Sequence, residues 1–181
     1  YTSKGFRVLV FGSYVGEPDG KPLTGSVIPL GYILLLNKVR KEAPATFKYF
    51  ADQGVAIKVI SGDNPITVSE TAKQAGIEGA ENYVDAGTLK TEADIALAVS
   101  KYTVFGRVVP EQKRQFVQAL KAQGMTVAMT GDGVNDVLAL KDADCSVAMA
   151  SGSDAAVQAA QVVLMDSDFA HMPSVVMEGR R

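Results

Sequence analysis

Short apolar runs broken by glycine, proline and polar residues recur along the 181 positions of this chain. Residues 6–11 and 27–36 read as two strands, and Glu17-Pro18-Asp19-Gly20-Lys21-Pro22 between them is a turn signal. Together they predict a small antiparallel ribbon, too little to fold alone. Residues 1–5 carry no clear period and fit a helix end stopped by Gly5. After residue 37 the pattern changes to strands alternating with helices. Helices are predicted over 43–53, 65–74, 92–100, 110–122, 154–161 and 172–181, with Pro44, Pro65 and Pro110 in first turns and Gly54, Gly76 and Gly124 as stops. Strands are predicted over 55–60, 83–85, 103–105, 127–129 and 162–165, with another apolar strand around Cys145. The alternation predicts an α/β fold, a parallel sheet with helices on both faces. Val127, Ala128 and Met129 lack polar alternation and are expected to be buried on both faces.

Composition narrows the function classes. A net charge of −2 gives no reason to expect nucleic acid or an anionic membrane surface as partner. One cysteine excludes an internal disulfide, and one histidine argues against a His-based zinc site. Cys145 is expected in the core, and the usage fits a reducing, intracellular compartment. The most apolar stretch, 27–36, falls short of the ~20 residues a spanning helix needs and contains Pro29 and Gly31. A start at Tyr rather than Met fits a piece of a longer protein or a processed chain.

Three polar clusters fall on predicted loops. The densest is Thr130-Gly131-Asp132-Gly133-Val134-Asn135-Asp136. Glycines flanking Asp132 allow a sharp turn and close approach to a ligand, and the loop follows a strand, where open α/β sheets bind ligands. Carboxylates there suit Mg²⁺, an oxygen-seeking cation that usually meets a phosphate. Ser61-Gly62-Asp63-Asn64 offers a hydroxyl and a backbone N–H at the start of a helix, an anion-favouring place. Lys113, in the first turn after Pro110, can reach a phosphate as a point charge. Each has a bland reading as well: a capped turn for the two loops, and a solvated surface lysine for Lys113. Taken in order, hydroxyl, lysine and carboxylate make a phosphoryl-transfer site.

The run 130–136 closely resembles a motif of the P-type cation-transporting ATPases, whose phosphorylation domain is of the haloacid dehalogenase type. Ser61-Gly62-Asp63 resembles their Thr-Gly-Asp, and Arg107-Val108-Val109-Pro110-Glu111-Gln112-Lys113 their Arg-x-x-Pro-x-x-Lys. Asn37-Lys38-Val39-Arg40 resembles the Asp-Pro-Pro-Arg hinge, matching outright only at Arg40. Gly5-Phe6-Arg7-Val8-Leu9 resembles the last nucleotide-domain segment, and Glu178-Gly179-Arg180-Arg181 the junction back to the membrane. Val137-Leu138 stands where the family has Ala-Pro. The resemblance implies a haloacid dehalogenase-like sheet, Mg²⁺ and ATP, and a cytoplasmic portion of an integral membrane protein. It implies that Arg7, Ser61, Gly62, Asp63, Arg107, Lys113 and Asn135 contact ATP or phosphate. Asp132 would bind Mg²⁺, and Asp136 would support the loop or a metal-bound water. Ser61, Lys113, Asp132 and Asp136 would form the catalytic set. Residues 1–36 would be the end of a nucleotide-binding domain and 37–181 the phosphorylation domain.

The family's nucleophile lies in Asp-Lys-Thr-Gly-Thr at the end of the first sheet strand, and this sequence does not contain it. The phosphorylation domain is therefore expected to be incomplete at that strand, with an upstream segment or a neighbouring chain completing the sheet. Asp166-Ser167-Asp168 imitates an Asp-x-Asp motif but follows the Asp132 loop, and reads as a turn. Asp142-Ala143-Asp144 reads as a solvated helix end. The favoured function is part of a pump that forms an aspartyl-phosphate from ATP and moves a cation bound elsewhere. A stand-alone phosphatase of the same fold and a non-catalytic nucleotide- or phosphate-binding module are the alternatives. Phosphatase turnover without a partner would mark the first, and binding without turnover the second.

Overall fold

The structure, a computed structural model, describes residues 1, 6–16, 19–36 and 38–181. The expectations resting on Gly5, on Glu17-Pro18 and on Asn37 fall outside these residues. Strands β1 (Arg7–Tyr14) and β2 (Val27–Leu35) form the antiparallel ribbon. β1 runs past the expected end at Phe11 because the register shifts there, setting Gly12 against Pro29. Proline cannot donate to a ladder, so it sits at such irregularities. Val10, Phe11, Leu30 and Tyr32 are all more than half exposed, so the ribbon stands clear of the core.

The remainder is α/β. Strands β3 (Val59–Ile60), β4 (Tyr83–Asp85) and β5 (Val104–Gly106) form a parallel sheet in the order β3-β5-β4. Strands β6 (Ala128–Gly131), β7 (Cys145–Met149) and β8 (Val162–Leu164) form a second in the order β6-β7-β8. Around them lie α1 (Ala43–Asp52), α2 (Pro65–Gln74), α3 (Glu92–Lys101), α4 (Pro110–Ala122), α5 (Val137–Asp142), α6 (Asp154–Ala159) and α7 (Met172–Gly179). Pro65 and Pro110 open α2 and α4 as their fixed φ and missing donor favour. None of the described helices is long and apolar enough to cross a membrane.

The sheet thus comes in two halves. β3 and β6 are each an outer strand, and among the described residues neither pairs with the other. Two helices tie the halves together. On α4, Phe116 packs on Phe105 with ring centroids 4.7 Å apart, while the next residue, Val117, packs with Met129 and Leu140. On α1, Phe47 packs with the cluster of Val68 and Val104, and Phe50 with that of Val147, Leu164 and Met172.

Three expectations are corrected. Only Val59 and Ile60 of the predicted 55–60 strand are extended and paired, because they alone face Val104 and Phe105 of β5. Val127 and Met129 are buried, but Ala128 is exposed, because β6, which among the described residues pairs only with β7, stands at the edge of its sheet. Cys145 is half-buried, against the cluster around Val147.

Candidate functional site

The loop after β6 is folded around Asp136. A Cβ at Gly131 would lie 2.5 Å from the Asp136 Cβ, so glycine is needed for the carboxylate to turn inward. Asp136 Oδ2 accepts the Gly133 N–H at 3.0 Å and the Asp132 N–H at 3.3 Å. Its Oδ1 accepts from Lys113 Nζ at 2.6 Å. Both side chains are shielded, Lys113 17% and Asp136 7% exposed. Lys113 is therefore no surface lysine; α4 delivers it to a carboxylate. A short 3₁₀ turn, Val134–Asp136, precedes α5, so Asn135 and Asp136 stand before the helix rather than in its first turn.

Asp132 faces the other way. Its side chain is exposed, and its backbone C=O accepts the Ser153 N–H at 2.7 Å. Gly152 presses on it from behind: a Cβ there would lie 2.6 Å from the Asp132 O and 3.0 Å from its Cα. The Asp132 backbone is held from two sides while its carboxylate stays free for a ligand. No group of three or more His, Cys, Asp or Glu suited to a metal occurs among the described residues. One exposed carboxylate does not make an all-protein cage. It does fit Mg²⁺, which is commonly held by one or two carboxylates, waters and substrate phosphates.

A second group gathers at the ends of β3 and β5. Ser61 Oγ accepts the Asp63 N–H at 3.1 Å, and Asn64 Oδ1 caps α2 by accepting the Ile66 N–H at 3.0 Å. The Arg107 N–H donates to the Asp63 C=O at 2.8 Å, and the Val108 N–H to the Ser61 C=O at 3.0 Å. Arg107 reaches this position with φ of 53°, a left-handed conformation uncommon outside glycine. Arg7 of the ribbon comes within 3.6 Å of Asp63. A concavity of about 280 Å³ opens here, lined among others by Arg7, Gly62, Asp63, Asn64, Thr67 and Arg107.

The predicted residues therefore fall into two groups. Arg7, Gly62, Asp63 and Arg107 surround the concavity, with Ser61 fastened beside it. Asp132 and Asp136 share the β6 loop, and Lys113 reaches it from α4. Asn135 lies exposed within that loop. The short run from Arg107 to Lys113 joins the groups, and each follows the carboxyl end of a strand: Ser61 after β3, Arg107 after β5 and Asp132 after β6. The sequence reading missed Asp85, whose Oδ2 accepts from Arg107 Nη1 at 2.7 Å, and missed Gly152 and Ser153 behind Asp132. Ser151-Gly152-Ser153 carries a local turn signal that could have drawn attention. Asp85 carries none.

The other acidic pairs are structural. Asp166 accepts the Asp168 N–H at 3.1 Å and pairs with His171, while Asp168 pairs with Arg40 at 3.0 Å, so this is a turn as the sequence suggests. The Asp168 N–H holds the Asp166 carboxyl below its usual range. Asp142 receives Arg114 Nε at 2.8 Å and Gln118 Nε2 at 2.7 Å. Asp144 receives the Val127 N–H and Lys121 Nζ, each at 2.9 Å. These contacts fasten α4 to the β6–β7 half rather than leaving a free helix end.

The family model of the haloacid dehalogenase-like hydrolases matches residues 13–144. Calcium-transporting ATPase CtpE of Mycobacterium tuberculosis (strain CDC 1551 / Oshkosh) is 49% identical over 180 residues, which cover 99% of this chain and 22% of that protein. Probable cation-transporting ATPase exp7 of Streptococcus pneumoniae serotype 4 is 45% identical, covering 98% and 23%. Among solved structures, the catalytic domain of the CPx-ATPase CopB-B superposes with a TM-score of 0.61 at 25% identity, covering 86% of this chain and 51% of that one. A zinc-transporting PIB-type ATPase in its E2.Pi state gives a TM-score of 0.67 at 24% identity over 99% of this chain and 23% of its own, which speaks to fold alone. The chain spans only 22–23% of the length of these curated relatives. It belongs to the haloacid dehalogenase-like hydrolases, and nearly its whole length is similar to a part of these cation-transporting ATPases.

Proposed function

We propose that this chain is the phosphoryl-handling part of an ATP-driven cation pump, acting where the ATP γ-phosphoryl passes to an aspartate and the aspartyl-phosphate is then hydrolysed. The observation that carries this reading is the shielded Lys113–Asp136 pair at the Asp132 loop, joined by the short run 107–113 to the Arg7–Asp63–Arg107 concavity. Phosphoryl transfer asks the protein mainly for positioning and fixed charge, and both are present. Lys113, held by Asp136, presents positive charge to the transferring group. Ser61 and the Gly62 N–H bind phosphoryl oxygens. Arg7 and Arg107, with Asp63 between them, hold the nucleotide phosphates, and Asn135, exposed within the Asp132 loop, contacts them. Asp132 is the ligand this chain offers to Mg²⁺, which when bound supplies further neutralisation of phosphate charge.

The nucleophilic aspartate comes from outside these residues. Its strand belongs between β3 and β6, each an outer strand among the described residues and open to a partner. Residues 1–36 end a nucleotide-binding unit and 37–181 form the phosphorylation unit. In the whole protein both lie on the cytoplasmic side of a membrane that the cation crosses through other segments. The printed name of CtpE makes Ca²⁺ the cation to test first. The test is phosphoenzyme formation by the full-length protein from γ-labelled ATP, quenched in acid. Lys113→Ala is expected to slow labelling by about 10²–10³-fold. A change under about threefold would remove Lys113, and with it this reading.

A further inference from the structure

Both arginines that line the concavity are largely exposed, Arg107 with 59% of its side chain open to solvent. A long side chain in that state needs an anchor if it is to meet a phosphate in one geometry. Asp85 provides it. Asp85 ends β4 directly beside Gly106 in the β4–β5 register, so the strand pairing itself sets the carboxylate next to the Arg107 turn. Its Oδ2 accepts from Arg107 Nη1 at 2.7 Å, and its Oδ1 accepts the Gly87 N–H at 2.9 Å. Thr88 Oγ1 donates to the Asp85 C=O at 2.7 Å, and Gln112 Nε2, one residue before Lys113, donates to the Ala86 C=O at 2.8 Å. Both carboxylate oxygens are thus engaged, and the turn that carries them is bound to the start of α4.

We propose that Asp85 is a positioning residue for nucleotide binding: it fixes the Arg107 guanidinium at the concavity that Arg7, Gly62 and Asp63 share. This rests on the nucleotide-binding reading above. With Nη1 engaged by Asp85, the remaining guanidinium donors stay free for phosphate oxygens. Without Asp85, Arg107 loses its side-chain anchor and can turn to the Asp63 carboxylate, which already faces Arg7.

The test measures ATP affinity by titration calorimetry, and KM and kcat for ATP, in the full-length protein carrying Asp85→Asn, Arg107→Ala or both. Asn keeps an oxygen for the Gly87 N–H; Asp85→Ser, which also does, is the second variant should the first fold poorly. Asp85→Asn is expected to weaken ATP binding and raise KM by roughly five- to tenfold, the loss of one charge-assisted bond, with kcat within about twofold. The double variant is expected to bind no more weakly than Arg107→Ala alone, since Asp85 acts through Arg107. Normal affinity in Asp85→Asn with weakened affinity in Arg107→Ala overturns the proposal. So does an additive loss in the double variant, which would make Asp85 only a turn-former. Normal affinity in all three variants would instead overturn the nucleotide reading itself.

Discussion

Lys113 on α4 and Asp136 in the β6 loop, 23 positions apart, meet at 2.6 Å with neither side chain more than 17% exposed. This contact fastens the helix that follows β5 to the loop that follows β6. Because the pair is shielded, removing one partner strands a charge. Asp136→Ala is expected to destabilise the fold by about 3–5 kcal/mol. Equilibrium urea unfolding measures it, and a loss below about 1 kcal/mol would show that the pair is solvated.

Asp132 should behave in the opposite way. Its backbone makes the structural contacts, through the N–H to Asp136 and the C=O from Ser153. Asp132→Ala is therefore expected to unfold within about 0.5 kcal/mol of the parent chain. Acid-stable label from ATP should nevertheless be lost in the full-length protein. Labelling at the parental rate would refute the role of Asp132 in holding Mg²⁺.

Gly152 makes the matching prediction from behind the loop. Its added methyl would meet the Asp132 and Met149 carbonyl oxygens and the Asp132 Cα at 2.6–3.0 Å, all backbone with little room to yield. Gly152→Ala must displace the Asp132 turn. A misplacement of about 1 Å can cost on the order of 10²-fold in rate, so phosphoenzyme formation should slow by that order. Unchanged kinetics would mean that the β7–α6 turn moves independently of the site.

The acid limb of stability should report the α4 clamp. The Val127 N–H and Lys121 hold the Asp144 carboxyl below its usual range, and Arg114 and Gln118 do the same for Asp142. A carboxyl lowered on folding contributes stability above its unfolded value, about 3.9. That contribution is lost as pH falls through the lower folded value. The Tm should be flat in this respect above about pH 5 and fall below about pH 4. In Asp144→Asn the fall should be shallower, and an unchanged acid limb would show that the clamp carries no linkage.

What the sequence determined by itself is local. Pro65 and Pro110 start helices because fixed φ and a missing donor matter only within one turn. Gly131 could be read as a tight place, and alternating strands and helices announced parallel pairing, because those signals lie within a few residues of what they specify. The same holds for Asp166, whose partners Asp168 and His171 are near neighbours. Only the tertiary structure decided whether Lys113 is solvated or paired, that Asp85 anchors Arg107, that Gly152 presses on Asp132, and that β6 pairs on one side alone among the described residues. Each depends on two segments brought together by packing: α4 across both half-sheets through Phe116 and Val117, or β4 laid beside β5. A carboxylate and a cation 22 or 23 positions apart leave no periodic trace in the chain; only the fold brings them within reach, and for Lys113 and Asp136 it also shields them from water.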